Sequence, residues 1–276
     1  MKERMLTLLW GEWFKQRRRW MPYILLGLFI LIGQLLVWGT FVATLVSPGS
    51  GARDGFELPT ALGTYFNLSL QLAVIAVTVL TSALVASEYA NGTLRTILAR
   101  GVRREELLAS KLLLVALLLA AALVIASLLI VVASLIAMRL EPAPAGHVAR
   151  LSWVGAAAAF GRFWFAALPY AALTGLIAVV MRSPGPAIGL SIAYFFAELI
   201  VVGIFGAVFH WFYHVANLLP AHAIQLWSDS GGPGSQGSHI PSNWQTFFVL
   251  LGYLALFSFL ALRIFKRRDI TGPTGA

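Results

Sequence analysis

Residues 88–111 read EYANGTLRTILARGVRREELLASK, the longest polar interruption between two strongly apolar runs. Within it Leu94, Ile97 and Leu98 fall at i, i+3 and i+4, so a short helix would present one apolar ridge, a small docking surface, while Arg95 and Arg100 stay in water. Asn91 and Gly92 break the preceding helix, Thr93 suits a cap, and Gly101 suits the left-handed position that ends the short helix. Glu105 and Glu106 then fall in the first turn of the next helix, where its dipole favours negative charge, and Lys111 is placed to snorkel at a membrane edge. The expectation for 88–111 is helix, turn, short helix, turn, helix.

On either side of this stretch the chain is dominated by apolar runs, at 21–46, 65–87, 112–138, 163–181, 187–209 and 245–262. At 1.5 Å per residue each approaches or exceeds what a hydrocarbon core of roughly 30 Å requires. Lipid leaves no unpaired backbone polar group tolerable, and the runs lack the short alternation of barrel strands, so the expected fold is an all-α membrane protein with six transmembrane helices. Composition agrees: 276 residues are 59% hydrophobic and 11% charged, too apolar for an ordinary soluble domain. The net charge of +9 does not point to nucleic acid, because the basic residues cluster between apolar runs rather than on one face of a soluble module.

Lys and Arg are distributed unevenly about the six runs. Sixteen fall on the side holding the N-terminus, the 88–111 loop, Arg182 and the C-terminal basic run, and only Arg53, Arg139, Arg150 and Arg162 fall on the other. Both termini and the loop are therefore expected in the cytoplasm, with the chain in a cell membrane. A cleavable signal is not expected, since the first apolar run of twenty-six residues far exceeds a signal core.

The Glu88, Gly92, Thr93, Leu94, Arg95, Gly101, Arg104 and Lys111 pattern resembles the first cytoplasmic loop of ATP-binding-cassette (ABC) permeases of the type-2 exporter class. Arg103 stands where that family often carries a small capping residue. The resemblance implies a coupling helix, formed here by Glu88, Gly92, Thr93, Leu94, Arg95, Ile97, Leu98, Gly101 and Arg104, that contacts a separate cytoplasmic ATPase subunit. It also implies a second permease subunit, identical or not, beside this one, with ATP and Mg2+ on the ATPase partner. This chain contains no Gly-Lys dipeptide and so no phosphate-cradling loop of the usual kind; it is expected to be a single transmembrane domain without a nucleotide-binding domain and not itself an enzyme. A non-transporting scaffold or receptor subunit is the alternative, and an intramembrane hydrolase the third choice.

Residues 3–19 carry Leu6, Leu9, Trp10, Trp13 and Phe14 on one helical stripe with Glu12, Lys15 and Gln16 mostly opposite, either an interfacial amphipathic helix, the preferred reading, or an extension of the first span. Arg17, Arg18 and Arg19 follow it, and Pro22 suits the first turn of a new helix. The connections at 47–64 and 139–162 are expected to be irregular or interfacial, the arginines of the second meeting lipid phosphates or simply snorkelling. Residues 210–244 divide into an aromatic half, expected to be helical, interfacial and broken near Pro220, and a Gly/Ser-rich tether. The aromatic half resembles the re-entrant helices before the last span of type-2 exporters.

Glu198 is the only acidic residue deep in an apolar run. It is either a possible intramembrane polar site, for substrate or protons, or a hydrogen-bonding residue between helices, with Asn67, Ser69 or Gln71 as candidate partners. His210 and His214 share a helical face, but no His-Glu-x-x-His motif accompanies them. With no cysteine in the chain, disulfides, thiolate metal sites and cysteine nucleophiles are excluded. Gly185 and Gly189 form a GxxxG that suits close helix approach, by default within the chain and otherwise across a dimer. Pro169 is expected to kink the fourth span.

Overall fold

A computed structural model describes residues 2–47, 51–99, 101–141, 152–209, 211–229 and 243–267; of Lys2, Glu3, Arg4, Arg95, Leu98, Ala207, Tyr213, Asp229 and Asn243 only the backbone is described. The helices, in chain order, are α1 (Lys2–Arg17), α2 (Trp20–Val46), α3 (Thr60–Ala90), α4 (Thr93–Ala99), α5 (Arg104–Leu140), α6 (Trp153–Met181), α7 (Pro184–Val208), α8 (Phe212–Ala216), α9 (Pro220–Asp229) and α10 (Asn243–Arg267), with a 3-10 turn at Ala52–Gly55. Six of them, α2, α3, α5, α6, α7 and α10, are long and apolar enough to cross a membrane. The chain is an all-α, multi-pass membrane protein.

Helices α3, α5 and α10 run beyond their apolar runs at both ends, because polar residues there still gain backbone hydrogen bonds by continuing the helix. At 37 residues, α5 is about 55 Å long, so its Arg104 end projects past any hydrocarbon core. Local signals set the ends. Pro22 lies in the first turn of α2 and Pro184 opens α7. Ser152 caps α6 by accepting from the Gly155 amide at 3.0 Å, and Arg182, in the left-handed region at φ 56°, ends it. Between α2 and α3 the chain is less irregular than expected: Arg53 pairs with Glu57 at 3.6 Å and Glu141 at 3.8 Å, tying this connection to the end of α5. The 142–151 segment, with Arg150, lies outside the described residues.

Helices α3 and α6 form the centre, with 72% and 67% of their most apolar windows buried, against 11% for α10. Buried small side chains are frequent on both, Ala73, Ala83, Ala86, Ala166, Ala167 and Ala171 among them, and such residues let backbones approach where lipid supplies no hydrophobic drive. Buried hydroxyls join them, Thr174 Oγ1 lying 3.3 Å from Thr78 Oγ1. Buried Pro169 sits inside α6. Around this pair, α2 packs on α5, and Tyr65 of α3 donates to the Phe29 carbonyl of α2 at 3.3 Å.

One expectation is corrected here and another is made more specific. Gly185 and Gly189 have open space around them, so the GxxxG serves no packing within the chain. Helix α1 is a separate helix, but it is turned the other way from a helix on a soluble core. Glu12 and Gln16 face the bundle, at 7% and 1% exposure, while Leu6, Trp10 and Phe14 face outward. In a bilayer this orientation is favourable, because lipid is the apolar phase and the protein interior holds the polar partners.

The α2–α5 contact requires a glycine. A Cβ at Gly33 would lie 2.7 Å from Ile130 Cδ1 and 2.8 Å from its Cγ1, whereas Gly27 on the same helix has nothing within 4 Å. Gly33→Leu should therefore lower stability in detergent by about 1–3 kcal/mol while Gly27→Leu leaves it nearly unchanged; thermal unfolding of the two variants checks the contrast.

Candidate functional site

At one end of the bundle α1, the end of α3, α4, the start of α5 and the end of α10 converge. The turns that enter and leave α4 use Gly92 at φ 66° and Gly101 at φ 77°, a region where residues with a Cβ are strained. Thr93, expected as a cap, is instead the first residue of α4, and Arg103 takes the cap position of α5 without a side-chain cap bond.

The ridge expected to face a partner faces the protein. Leu94 is 3% exposed and half-buried Ile97 packs beside it. The apolar cluster around Leu94 draws Val85 from α3, Leu107 and Leu108 from α5, Val179 from α6, Ala187 from α7 and Phe265 from α10. Leu94 itself shares a small void with Val85 of α3, Leu107 and Leu108 of α5 and Phe265 of α10, and the cluster continues from there to α6 and α7. What α4 leaves exposed is Thr93, Thr96 and Ala99, flanked by Gly92 and Arg103. The side chains of Arg95 and Leu98, and all of Arg100, lie outside the described residues. Arg104 secures the neighbouring helix: its Nη1 donates to the carbonyls of Phe265 at 3.1 Å and Lys266 at 3.0 Å, the unpaired carbonyls of a helix end. Lys266 in turn lies 2.5 Å from Glu105.

Lys111 does not snorkel. It is 2% exposed, and its Nζ lies 3.0 Å from Glu12 Oε1 and 2.8 Å from Glu88 Oε1. Lys15 reaches the same Glu88 oxygen at 2.9 Å. Buried Glu12, Glu88 and Lys111 and the partly exposed Lys15 therefore balance two carboxylates against two ammonium groups in a cluster that joins α1, α3 and α5. A void of only about 10 Å3 lies between Glu88 and Lys111 on one side and Leu94 and Phe265 on the other, so the ionic and apolar clusters share a wall.

Glu198, 6% exposed in the middle of α7, is not at this end, and it reaches α9. Its Oε1 accepts from the backbone amides of Ala221 at 2.5 Å and His222 at 3.1 Å. A carboxylate thus satisfies the first amides of α9, where the helix dipole is positive and water is scarce. Helix α9, begun at Pro220 as its sequence suggested, packs among α3, α6, α7 and α10, with Ala221, Ala223 and Ile224 fully buried. Burial holds the His222 imidazole below its ordinary pKa. Among the described residues no group of His, Asp and Glu could hold a metal; His214 is exposed on α8, and His210 and the tether at 230–242 lie outside the described residues.

Glu88 and Lys111 stand out in the sequence, but their junction does not, and neither does the part that Glu12 and Lys15, opposite the apolar stripe of α1, play in it. The available signal was charge on a helix whose opposite face was already apolar enough for lipid.

The family described as Protein of unknown function (DUF2705) has a model that matches residues 22–271. No curated protein matches the chain.

Removing one member of the ion cluster should leave uncompensated buried charge. Lys111→Met is expected to cost about 3 kcal/mol, and adding Glu88→Gln to recover about 1 kcal/mol of it or more; strictly additive losses in thermal unfolding would argue against direct pairing. At the other site, Glu198→Leu should destabilise by about 2 kcal/mol through unpaired amides, whereas Glu198→Gln, which keeps an acceptor oxygen, should lose about half as much.

Proposed function

Since the chain belongs to the DUF2705 family, whose description assigns no activity, we propose from its own residues that it is the membrane-spanning permease subunit of an ATP-driven exporter of the ABC type-2 class. The observation that carries this reading is the seat of Leu94. A seven-residue helix between two left-handed glycine turns plugs into a cluster built by five spanning helices. Force applied to so short a helix bears on α3, α5 and α10, which line the same void as Leu94, and through the rest of the cluster on α6 and α7.

In this reading the end carrying α4 is cytoplasmic, both termini lie there, and the sixteen basic residues on that side support the orientation. A separate ATPase subunit, holding ATP and Mg2+, seats on the exposed face of α4 around Thr93 and Thr96, and a second permease lies alongside. The resemblance expects Leu94 and Ile97 to be the partner's contacts. Their burial reassigns them: they transmit motion inward, while the threonine face receives it. Closure of the ATPase shifts α4, and the Leu94 cluster and the adjoining Glu88–Lys111 pair pass the displacement to α3, α5 and α10. A ligand can bias such a change only if it interacts differently with the two arrangements, and a partner gripping α4 meets that condition. Glu198 and the helix it caps lie along the bundle's far half, where altered helix tilt would change their surroundings.

The test separates the two faces of α4. Thr96→Trp should reduce co-purification of the ATPase subunit by about tenfold or more with unchanged membrane insertion and melting temperature. Leu94→Asp should instead destabilise the permease itself, because it buries an unpaired charge. Undiminished ATPase capture by the Thr96→Trp protein would contradict the assignment.

A further inference from the structure

Between α1, α2, α3 and α5 lies a cavity of about 160 Å3, lined almost entirely by apolar groups including Trp13, Phe29, Leu119 and Ala122. Arg17 and Tyr23 line both this cavity and a neighbouring one of about 250 Å3 that is walled by Arg17, Arg18 and Arg19. An apolar slot therefore opens beside a concentrated positive charge. We propose that this composite groove binds one anionic phospholipid, its acyl chain in the slot against α2 and α5 and its phosphate at the arginines.

Three observations argue for this occupant. The first is charge. No carboxylate among the described residues pairs with Arg17, Arg18 or Arg19, because the nearby acids Glu12 and Glu88 are committed to Lys15 and Lys111. Arg18 lies over the Phe14 ring at 5.2 Å and Arg19 donates to the Ala83 carbonyl at 3.2 Å, contacts that fix the side chains without neutralising them. The second is Gln16, which lines the apolar slot immediately before the arginines. It is 1% exposed, and neither its Oε1 nor its Nε2 has a hydrogen-bond partner. A buried amide left unpaired is costly. A phospholipid has ester carbonyls between its phosphate and its acyl chains, so it offers an acceptor for Nε2 where Gln16 sits. The third is the posture of α1, whose Leu6, Trp10 and Phe14 face outward. With Tyr23 donating to the Arg17 carbonyl at 3.0 Å, the short link from α1 to α2 is held in the turn that forms the mouth. A soluble anion would match the arginines but leave the slot and Gln16 unmatched. A neutral lipid would match the slot but not the arginines.

The site does not depend on the transporter reading, and its test needs no partner subunit. The full-length protein, stripped of lipid in mild detergent, is titrated with dioleoylphosphatidylglycerol, with dioleoylphosphatidylcholine, or with inorganic phosphate, while thermal unfolding and native mass spectrometry are followed. Phosphatidylglycerol is expected to raise the melting temperature and persist as a one-lipid adduct; phosphatidylcholine and inorganic phosphate are not. Arg17→Ala/Arg18→Ala should weaken the phosphatidylglycerol effect by about tenfold or more, given the roughly fivefold that each basic residue contributes near an anionic lipid surface. Ala122→Phe, which fills the slot, should abolish the adduct with the arginines intact. Gln16→Leu provides a signature of opposite sign, a higher melting temperature without lipid and a smaller rise with it. Equal effects of the two lipids, a full effect of inorganic phosphate, or an Ala122→Phe protein that retains lipid like the parent would overturn the proposal.

Discussion

Lys111 is the ion that the rest of the loop end depends on. Its ammonium reaches carboxylates from two other helices, Glu12 of α1 and Glu88 of α3, and all three side chains are buried. Burying charges this way is expensive, and the arrangement persists because the charges balance, two against two, once Lys15 is counted. The consequence is geometric. With α1, α3 and α5 fixed relative to one another, the Glu88 end of α3 and the Arg104 end of α5 are held at the spacing that α4 and its two glycine turns bridge.

The same physics orders the other half of the molecule. A helix that begins inside a membrane protein needs acceptors for its first amides. Glu198 supplies one, from the middle of α7, to Ala221 and His222 at the head of α9. At two separate places in the bundle, then, a carboxylate in an apolar setting is matched to a specific positive partner, ammonium groups in one case and a helix N-terminus in the other. Between these two fixed points the packing is generic, with small residues on α3 and α6 at the centre and bulky ones facing outward.

Features governed by neighbours in sequence were legible in it. Uninterrupted apolar length revealed the six spans. Gly92 and Gly101 gave away their turns, and Pro220 the start of α9, because each reflects a local backbone constraint. What the sequence could not reveal depended on which surface each residue would meet. The stripe on α1 was visible, but whether lipid or protein would cover it was not, and the polar face turned out to be the inner one. Leu94 and Ile97 formed a ridge as expected, yet an apolar ridge fits its own bundle as well as a partner, and here the bundle takes it. Lys111 and Glu198 were conspicuous as charges next to apolar runs. Their partners lie on α1 and α3 and on the backbone of α9, in contacts that no local spacing encodes.

The central claim is that α4 is an inward-facing plug whose exposed side is reached from the cytoplasm. The absence of cysteine from the chain makes this directly measurable with Thr96→Cys and a membrane-impermeant thiol reagent applied to intact cells and to inside-out membranes. The account predicts labelling only in the inside-out membranes. Labelling of intact cells would put α4 on the outer face and contradict it.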